Sequence, residues 1–179
     1  VKDPARRGYL ALLLGLDDAV GRLLAHLRES GVEENTLIMF ISDNGGPSLS
    51  TTTVNGSNNK PLRGSKRTTL EGGVRVPFLV KWPGHLPAGQ VYDNPVIQLD
   101  ILPTALVAAS VTIDDDARLE GVNLLPFLNE QMDGAPHDKL YWRFGAQMAI
   151  RQGDWKLVKY DPMVDGEEGG KGTATDAKL

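Results

Sequence analysis

The sequence contains no cysteine. That absence removes disulfides, thiolate metal sites and cysteine nucleophiles from this stretch of chain. It also lacks any run of about 18 apolar residues, the length that a membrane-crossing helix requires, so no membrane partner is expected. The opening Val1-Lys2-Asp3-Pro4 has neither the basic start nor the apolar stretch of a secretory signal. Because the first residue is not Met, an incomplete or processed chain is expected. An excess of positive charge is missing as well: 19 Lys and Arg stand against 23 Asp and Glu, giving a formal net charge of -4. The basic residues are scattered and form no stripe that could neutralise a row of phosphates, so a nucleic-acid partner is not expected. No internal repeat is found.

What is present suffices for one main domain with a core: 179 residues, 41% of them hydrophobic. Tyr9, Leu13, Leu16, Val20, Leu23, Leu24 and Leu27 recur at spacings of three and four, which predicts a helix over 5–30 that Gly31 stops. Thr36 to Ile41 is continuously apolar and β-rich, the pattern of a strand buried on both faces in a parallel sheet. A second such strand is predicted over Pro77 to Trp82, closed by Pro83-Gly84, and a helix over Leu99 to Ala109 with Pro103 near its start. After the acidic run Asp114-Asp115-Asp116 come a short helix around Leu124 to Leu128 and three strands, Leu140 to Phe144, Gln147 to Arg151 and Trp155 to Tyr160. Gln152-Gly153-Asp154 turns the last two. A helix followed by a buried strand indicates α/β architecture. The expected fold is thus a mixed, mainly parallel sheet flanked by helices, with a small antiparallel sheet appended.

Directly after the first strand stands Ser42-Asp43-Asn44-Gly45-Gly46, followed by a polar stretch to about Ser65 rich in Ser, Thr, Asn and Gly. Long loops of this kind are functional or disordered, and ligands of open α/β sheets bind at the carboxyl ends of strands. Asp43 and Asn44 offer a carboxylate and a carboxamide oxygen, hard donors suited to Ca²⁺ or Mg²⁺. Two ligands do not complete a calcium shell of about six to eight oxygens, and Asp-Asn-Gly-Gly also reads as a plain turn. Lys66 lies among small residues whose backbone N–H groups can approach an anion, yet read alone it is also a solvated loop lysine. A phosphate loop needs Gly before the lysine and Ser or Thr after it; Ser65 and Arg67 occupy those places, so a nucleotide loop is not supported.

An ordered series of segments goes further than any one of them. It runs from Leu16-Asp17-Asp18-Ala19-Val20-Gly21 through Asn35 to Gly46, then Asn59-Lys60-Pro61-Leu62-Arg63-Gly64-Ser65-Lys66 and Glu71-Gly72-Gly73-Val74-Arg75-Val76-Pro77. Trp82-Pro83-Gly84, Leu119-Glu120-Gly121-Val122-Asn123-Leu124-Leu125-Pro126 and Arg151-Gln152-Gly153-Asp154-Trp155-Lys156-Leu157-Val158 continue it. In order and spacing this series resembles the sulfatase family of the alkaline phosphatase superfamily, over nearly the whole chain and in its C-terminal portion only.

The resemblance implies that Asp43 and Asn44 are ligands of a divalent cation, usually calcium with magnesium as the alternative. It implies that Lys66 contacts the sulfate oxygens and serves catalysis. It also implies a formylglycine nucleophile, made from a Cys-X-Pro-X-Arg or Ser-X-Pro-X-Arg sequence; here there is no cysteine, and no serine is followed two places later by proline. The isolated chain is therefore expected to be an inactive fragment of a sulfuric ester hydrolase of arylsulfatase type, open to self-association and truncated at both ends, Asp176 to Leu179 resembling the opening of the family's closing strand. The parent's expected partner is a sulfate ester, and its expected place periplasmic, secreted or, in a eukaryote, lysosomal. Asn44 favours a calcium sulfatase over phosphatase relatives, which commonly carry His there. A phosphate or phosphonate ester hydrolase of the same superfamily and a non-catalytic binding fragment remain the alternatives.

Domain limits are expected at 1–112 for the later part of the catalytic α/β domain, 113–160 for the antiparallel subdomain and 161–179 for a flexible glycine-rich tail. Asp17 and Asp18, on the long helix, are structural by the resemblance. His26 reads as solvated, His85 and His137 as turn residues, and Arg63 and Arg67 as surface or helix-end residues beside Lys66. Asn55-Gly56-Ser57 fits a glycosylation acceptor or an Asn-Gly turn.

Overall fold

The computed structural model describes residues 1–48, 55–114 and 116–159, together with the backbone of 177–178. The tail expected over 161–179 lies outside the described residues apart from that dipeptide. The chain forms two compact units, one from 1–23, 41–78 and 139–179, the other from 24–40 and 79–138.

The predicted long helix is α1 (Pro4–Glu29). The Asp3 carboxylate accepts the Ala5 N–H at 3.0 Å at its start, and His26 and Arg28 sit in the last turn, where cations suit the helix dipole. Gly31, at φ 70°, ends it: the Val32 N–H reaches back to the Leu27 carbonyl at 3.1 Å and the Gly31 N–H to that of Arg28 at 3.0 Å. These two bonds make a Schellman closure, which requires a residue at positive φ in that place.

β1 (Ile38–Ile41) pairs with β2 (Phe78–Lys81) in a two-stranded sheet. The Ser42 N–H donates to the Pro77 carbonyl at 3.2 Å, so the end of β1 meets the beginning of β2. Burial of both faces, expected from the apolar runs, is not what these strands show: Phe40 is 40% exposed and Leu79 58%. The same holds for α1, none of whose residues is buried. An apolar pattern reports what a surface is suited to cover, and burial follows only where another element supplies the covering; among the described residues that covering is partial.

In the second unit, α3 (Ile101–Ala108) follows a 3-10 turn at Gln98–Asp100, and α4 (Leu125–Leu128) comes later in the chain. Pro103 sits in the first turn of α3, where N–H groups have no intrahelical acceptor to lose. Asp100 is fully buried. Its carboxylate accepts the Ile97 N–H and the Val122 N–H, each at 2.9 Å, and both oxygens lie 2.9 Å from His137 Nε2. Thr104, also fully buried, accepts the Leu124 N–H at 2.9 Å.

In the first unit, β3 (Leu140–Phe144), β4 (Gln147–Gln152), β5 (Trp155–Lys159) and β6 (Ala177–Lys178) form an antiparallel sheet in that order. The pairs Phe144↔Gln147 and Gln152↔Trp155 leave two-residue hairpin loops, each containing a glycine at positive φ, Gly145 and Gly153. Alternation sets the two faces apart. Tyr141, Met148, Trp155 and Leu157 are exposed, whereas Ala149 and Val158 are buried with Leu70, and Trp142 packs against them. Leu70 and Val158 each contribute roughly 1.5–3 kcal/mol when taken fully out of water, and Ala149 less. Leu70 belongs to the segment leading into α2 (Glu71–Val74), so the inner face of this sheet lies on that segment.

Candidate functional site

The strand-end sequence 42–46 and the loop around Lys66 are locked to each other through the backbone. The Gly45 N–H donates to the Gly73 carbonyl at 2.9 Å, and the Lys66 N–H donates to the Gly46 carbonyl at 3.3 Å. Asn59 bridges the two: its Oδ1 accepts the Gly46 N–H at 2.8 Å, while its Nδ2 donates to the carbonyls of Gly46 at 2.8 Å and Gly64 at 3.1 Å. The approach is too close for side chains, since a Cβ on Gly45 would run into the Gly72 carbonyl. Glycine is therefore required by contact here.

Beneath Lys66 the polar groups are buried, and Ser65 and Thr68 pair with each other, while the Thr69 hydroxyl has no hydrogen-bond partner among the described residues. Ser65 is fully buried, and Thr68 and Thr69 nearly so. Thr68 Oγ1 donates to the Ser65 carbonyl at 2.8 Å and accepts the Ser65 N–H at 3.1 Å, and the Thr68 N–H closes a turn onto the Ser65 carbonyl at 3.0 Å. The Gly72 N–H donates to Arg63 O at 2.6 Å. Above this layer Asp43 and Lys66 are exposed and Asn44 is half-buried. The structure thus brings all three predicted site residues onto one interlocked pair of loops.

Asp43 Oδ1 accepts the Asn44 N–H at 2.9 Å, and Asn44 Nδ2 donates to Gly45 O at 3.0 Å. One carboxylate and one carboxamide fit a hard divalent cation. Among the described residues no group of three or more His, Cys, Asp or Glu is placed to hold a metal ion.

Sequence reasoning did not find the supports from the C-terminal sheet. Gln147, buried at the start of β4, donates from Nε2 to the Arg67 carbonyl at 2.9 Å. Lys156 Nζ lies 2.6 Å from Glu71 Oε1 and 4.8 Å from the Trp142 ring centre, with Arg151 Nη1 3.6 Å from Glu71 Oε2. Burial holds the Lys156 ammonium below the usual lysine range, against the opposing pull of Glu71. The partners lie 80 and 85 residues apart in sequence, beyond what local spacing can report. Asn59 did carry a signal, as the first residue of a segment in the ordered series.

The three histidines take no part in these loops. His26 is exposed, His85 stacks on Trp82 with ring centres 3.9 Å apart, and His137 is held by Asp100. Trp82 and His85 line a cavity of about 410 Å³ whose lining includes none of Asp43, Asn44 and Lys66. No helix among the described residues is long and apolar enough to cross a membrane.

Comparison with known proteins identifies the family. The family model described as Sulfatase matches residues 2–111, and one described as N-sulphoglucosamine sulphohydrolase, C-terminal, matches residues 64–168. The chain is 38% identical over 134 residues to an uncharacterized sulfatase, YdeN, of Escherichia coli (strain K12), covering 75% of this chain and 23% of that protein. It is 39% identical to the N-acetylgalactosamine-6-sulfatase of Homo sapiens, covering 79% of this chain and 27% of that one. The crystal structure of Ps i-CgsB in complex with k-i-k-neocarrahexaose superposes with a TM-score of 0.80 at 34% identity, over 90% of this chain and 36% of the other. The chain thus spans about a quarter of the length of these curated relatives. Its fold is the alkaline phosphatase-like α/β fold of those structures, seen in part. With the Sulfatase match extending over more than half of the chain, from just before α1 to past the end of α3, the protein belongs to the sulfatase family.

Proposed function

We propose that this chain provides the metal-binding and sulfate-binding loops of an arylsulfatase-type sulfuric ester hydrolase. The observation that carries the reading is the interlock itself: Lys66 N–H on Gly46 O, Gly45 N–H on Gly73 O and Asn59 between them hold Asp43, Asn44 and Lys66 on one rigid pair of loops. Fixed groups stabilise developing charge without reorganising during the reaction.

Hydrolysis of a sulfate ester breaks the bond between sulfur and the alcohol oxygen and spreads negative charge over the departing groups. Asp43 and Asn44 would hold a divalent cation, calcium or magnesium, which when bound supplies Lewis-acid stabilisation of that charge. Lys66 adds an ammonium group to the same oxygens, and the buried Ser65–Thr68 layer keeps its backbone in place. The nucleophile, a formylglycine by resemblance, would come from the part of the family's length that this chain does not span. The names of the relatives, among them N-acetylgalactosamine-6-sulfatase, favour a sulfated sugar as the substrate class.

The phosphoesterase alternative is disfavoured by Asn44, a poor zinc donor where a phosphatase would place His. In the full-length gene product, coexpressed with a formylglycine-generating enzyme, turnover of 4-nitrophenyl sulfate should fall by about a hundredfold or more in Lys66→Ala and Asp43→Ala, and on chelation of divalent cations. Turnover that survives all three changes contradicts the proposal. The 179-residue chain alone should be inactive and bind calcium weakly.

A further inference from the structure

Lys66 and Arg67 are the central residues of the turn that the Thr68 N–H closes onto the Ser65 carbonyl. Arg67 holds φ at 74°. A positive φ at the third residue is what a type II turn demands, and the place normally falls to glycine, because a side chain resists that conformation. Here arginine fills it, so something else must keep the backbone there.

The surrounding bonds show which part of the turn still needs holding. Ser65 and Thr68 fix each other through Thr68 Oγ1, and the Lys66 N–H is fixed by Gly46 O. The carbonyl of Arg67 is held from outside the loop, by Gln147 Nε2 at 2.9 Å across 80 residues of sequence. Gln147 is 4% exposed, and its Oε1 is buried without a hydrogen-bond partner among the described residues. An apolar side chain would fill the same space on the inner face of β4 without stranding an acceptor. A carboxamide kept there at that cost is explained by its one bond, to the carbonyl that follows Lys66 by a single residue.

We propose that Gln147 is a positioning residue for Lys66: it holds Arg67 in the left-handed conformation and thereby sets the direction in which the Lys66 side chain leaves the loop. The role in catalysis rests on the reading of Lys66 as a sulfate contact. Through it the C-terminal antiparallel sheet becomes part of the site's machinery, with Lys156 and Arg151 on Glu71 anchoring the same segment one turn later.

Amide hydrogen exchange, followed by NMR on the 179-residue chain, tests the structural half. Gln147→Leu should lower protection at the Lys66 and Thr68 amides by about three- to tenfold, the range expected for one lost hydrogen bond. Adding Arg67→Gly should restore it, since glycine accepts the positive φ without penalty. No loss in Gln147→Leu, or a loss spread over the β3–β4 ladder that Arg67→Gly does not restore, overturns the proposal. In the full-length gene product, 4-nitrophenyl sulfate turnover tests the catalytic half, with kcat falling by a similar factor in Gln147→Leu and recovering in the double variant. If Lys66→Ala abolishes turnover and Gln147→Leu leaves kcat unchanged, the positioning role fails and the sulfate reading stands. If Lys66→Ala leaves turnover unchanged, the sulfate reading fails and takes the catalytic role of Gln147 with it.

Discussion

Two polar networks in this chain use the same kinds of bonds for opposite ends. Around Asp100, every partner is turned inward: two backbone N–H groups and His137 converge on a fully buried carboxylate, tying the turn before α3 to the segment at Val122 and the one at His137. Around Lys66, the inward bonds are made by backbone, by Asn59 and by small hydroxyls, and the charged side chains Asp43 and Lys66 stay exposed above them. The first consumes its charges to hold the fold; the second holds its backbone so that its charges are presented. An ionisable group in a loop is thus diagnosed by what its neighbours do. A carboxylate saturated by buried donors is structural, whereas an exposed lysine on a held loop fits the proposed sulfate contact.

Removing a partner from the inward network should have the largest effect on stability. Asp100→Ala strands the Ile97 and Val122 N–H groups and His137 in a buried site, and should cost about 3–5 kcal/mol, read as a fall in the urea midpoint with an unchanged slope. A cost below about 1 kcal/mol would show that the carboxylate is dispensable and collapse the contrast.

Next comes the floor of the presented site. Gly45→Ala forces a Cβ against the Gly72 carbonyl and should cost about 2–4 kcal/mol, because backbone cannot yield as a flexible side chain does. Thermal unfolding of the variant gives the reading; full retention of stability would mean that the two loops are not in the contact described.

Lys66→Ala and Asp43→Ala should change stability by no more than about 0.5 kcal/mol, as expected of exposed side chains, while removing the proposed activity. A large destabilisation would move both residues into the structural class.

The smallest effect is a dependence on pH, with the same sign for two groups in different ranges: stability rises with pH through each. Hydrogen bonds from Lys81 and Arg28 hold the Glu33 carboxyl below the usual carboxylate range, so this group's contribution is present above the ordinary value near 4.3 and is lost as pH falls through the folded one. Lys156 is lowered by burial, so the unfolded chain keeps its proton to higher pH than the fold does, and stability from this group rises as pH climbs toward about 10.4. Chemical denaturation at several pH values, with Glu33→Gln and Lys156→Met each expected to flatten its own limb, checks both signs; the opposite slope on either limb would contradict the assignment.

Much of this was legible in the sequence because it is local. The periodicity of Tyr9 to Leu27 gave α1 to within a residue at each end, and the turn Gln152-Gly153-Asp154 gave the hairpin of β4 and β5. The family was legible as an ordered series of segments, among them those that carry Asp43, Asn44 and Lys66. α2, four residues with two glycines, has no periodicity to detect. Asp100 with His137, and Gln147 with Arg67, meet only through tertiary structure, and no local pattern encodes a pair 37 or 80 residues apart. The apolar runs of β1 and β2 announced burial that the described residues do not provide, because a strand's pattern records the covering it suits and not the covering it has.

The most direct test of the central claim is the ratio of turnover on an aryl sulfate to that on the matching aryl phosphate, measured for the full-length gene product with and without Lys66→Ala. The account predicts a strong preference for sulfate that collapses in the variant. A preference for phosphate, or a sulfate rate indifferent to Lys66, would contradict it.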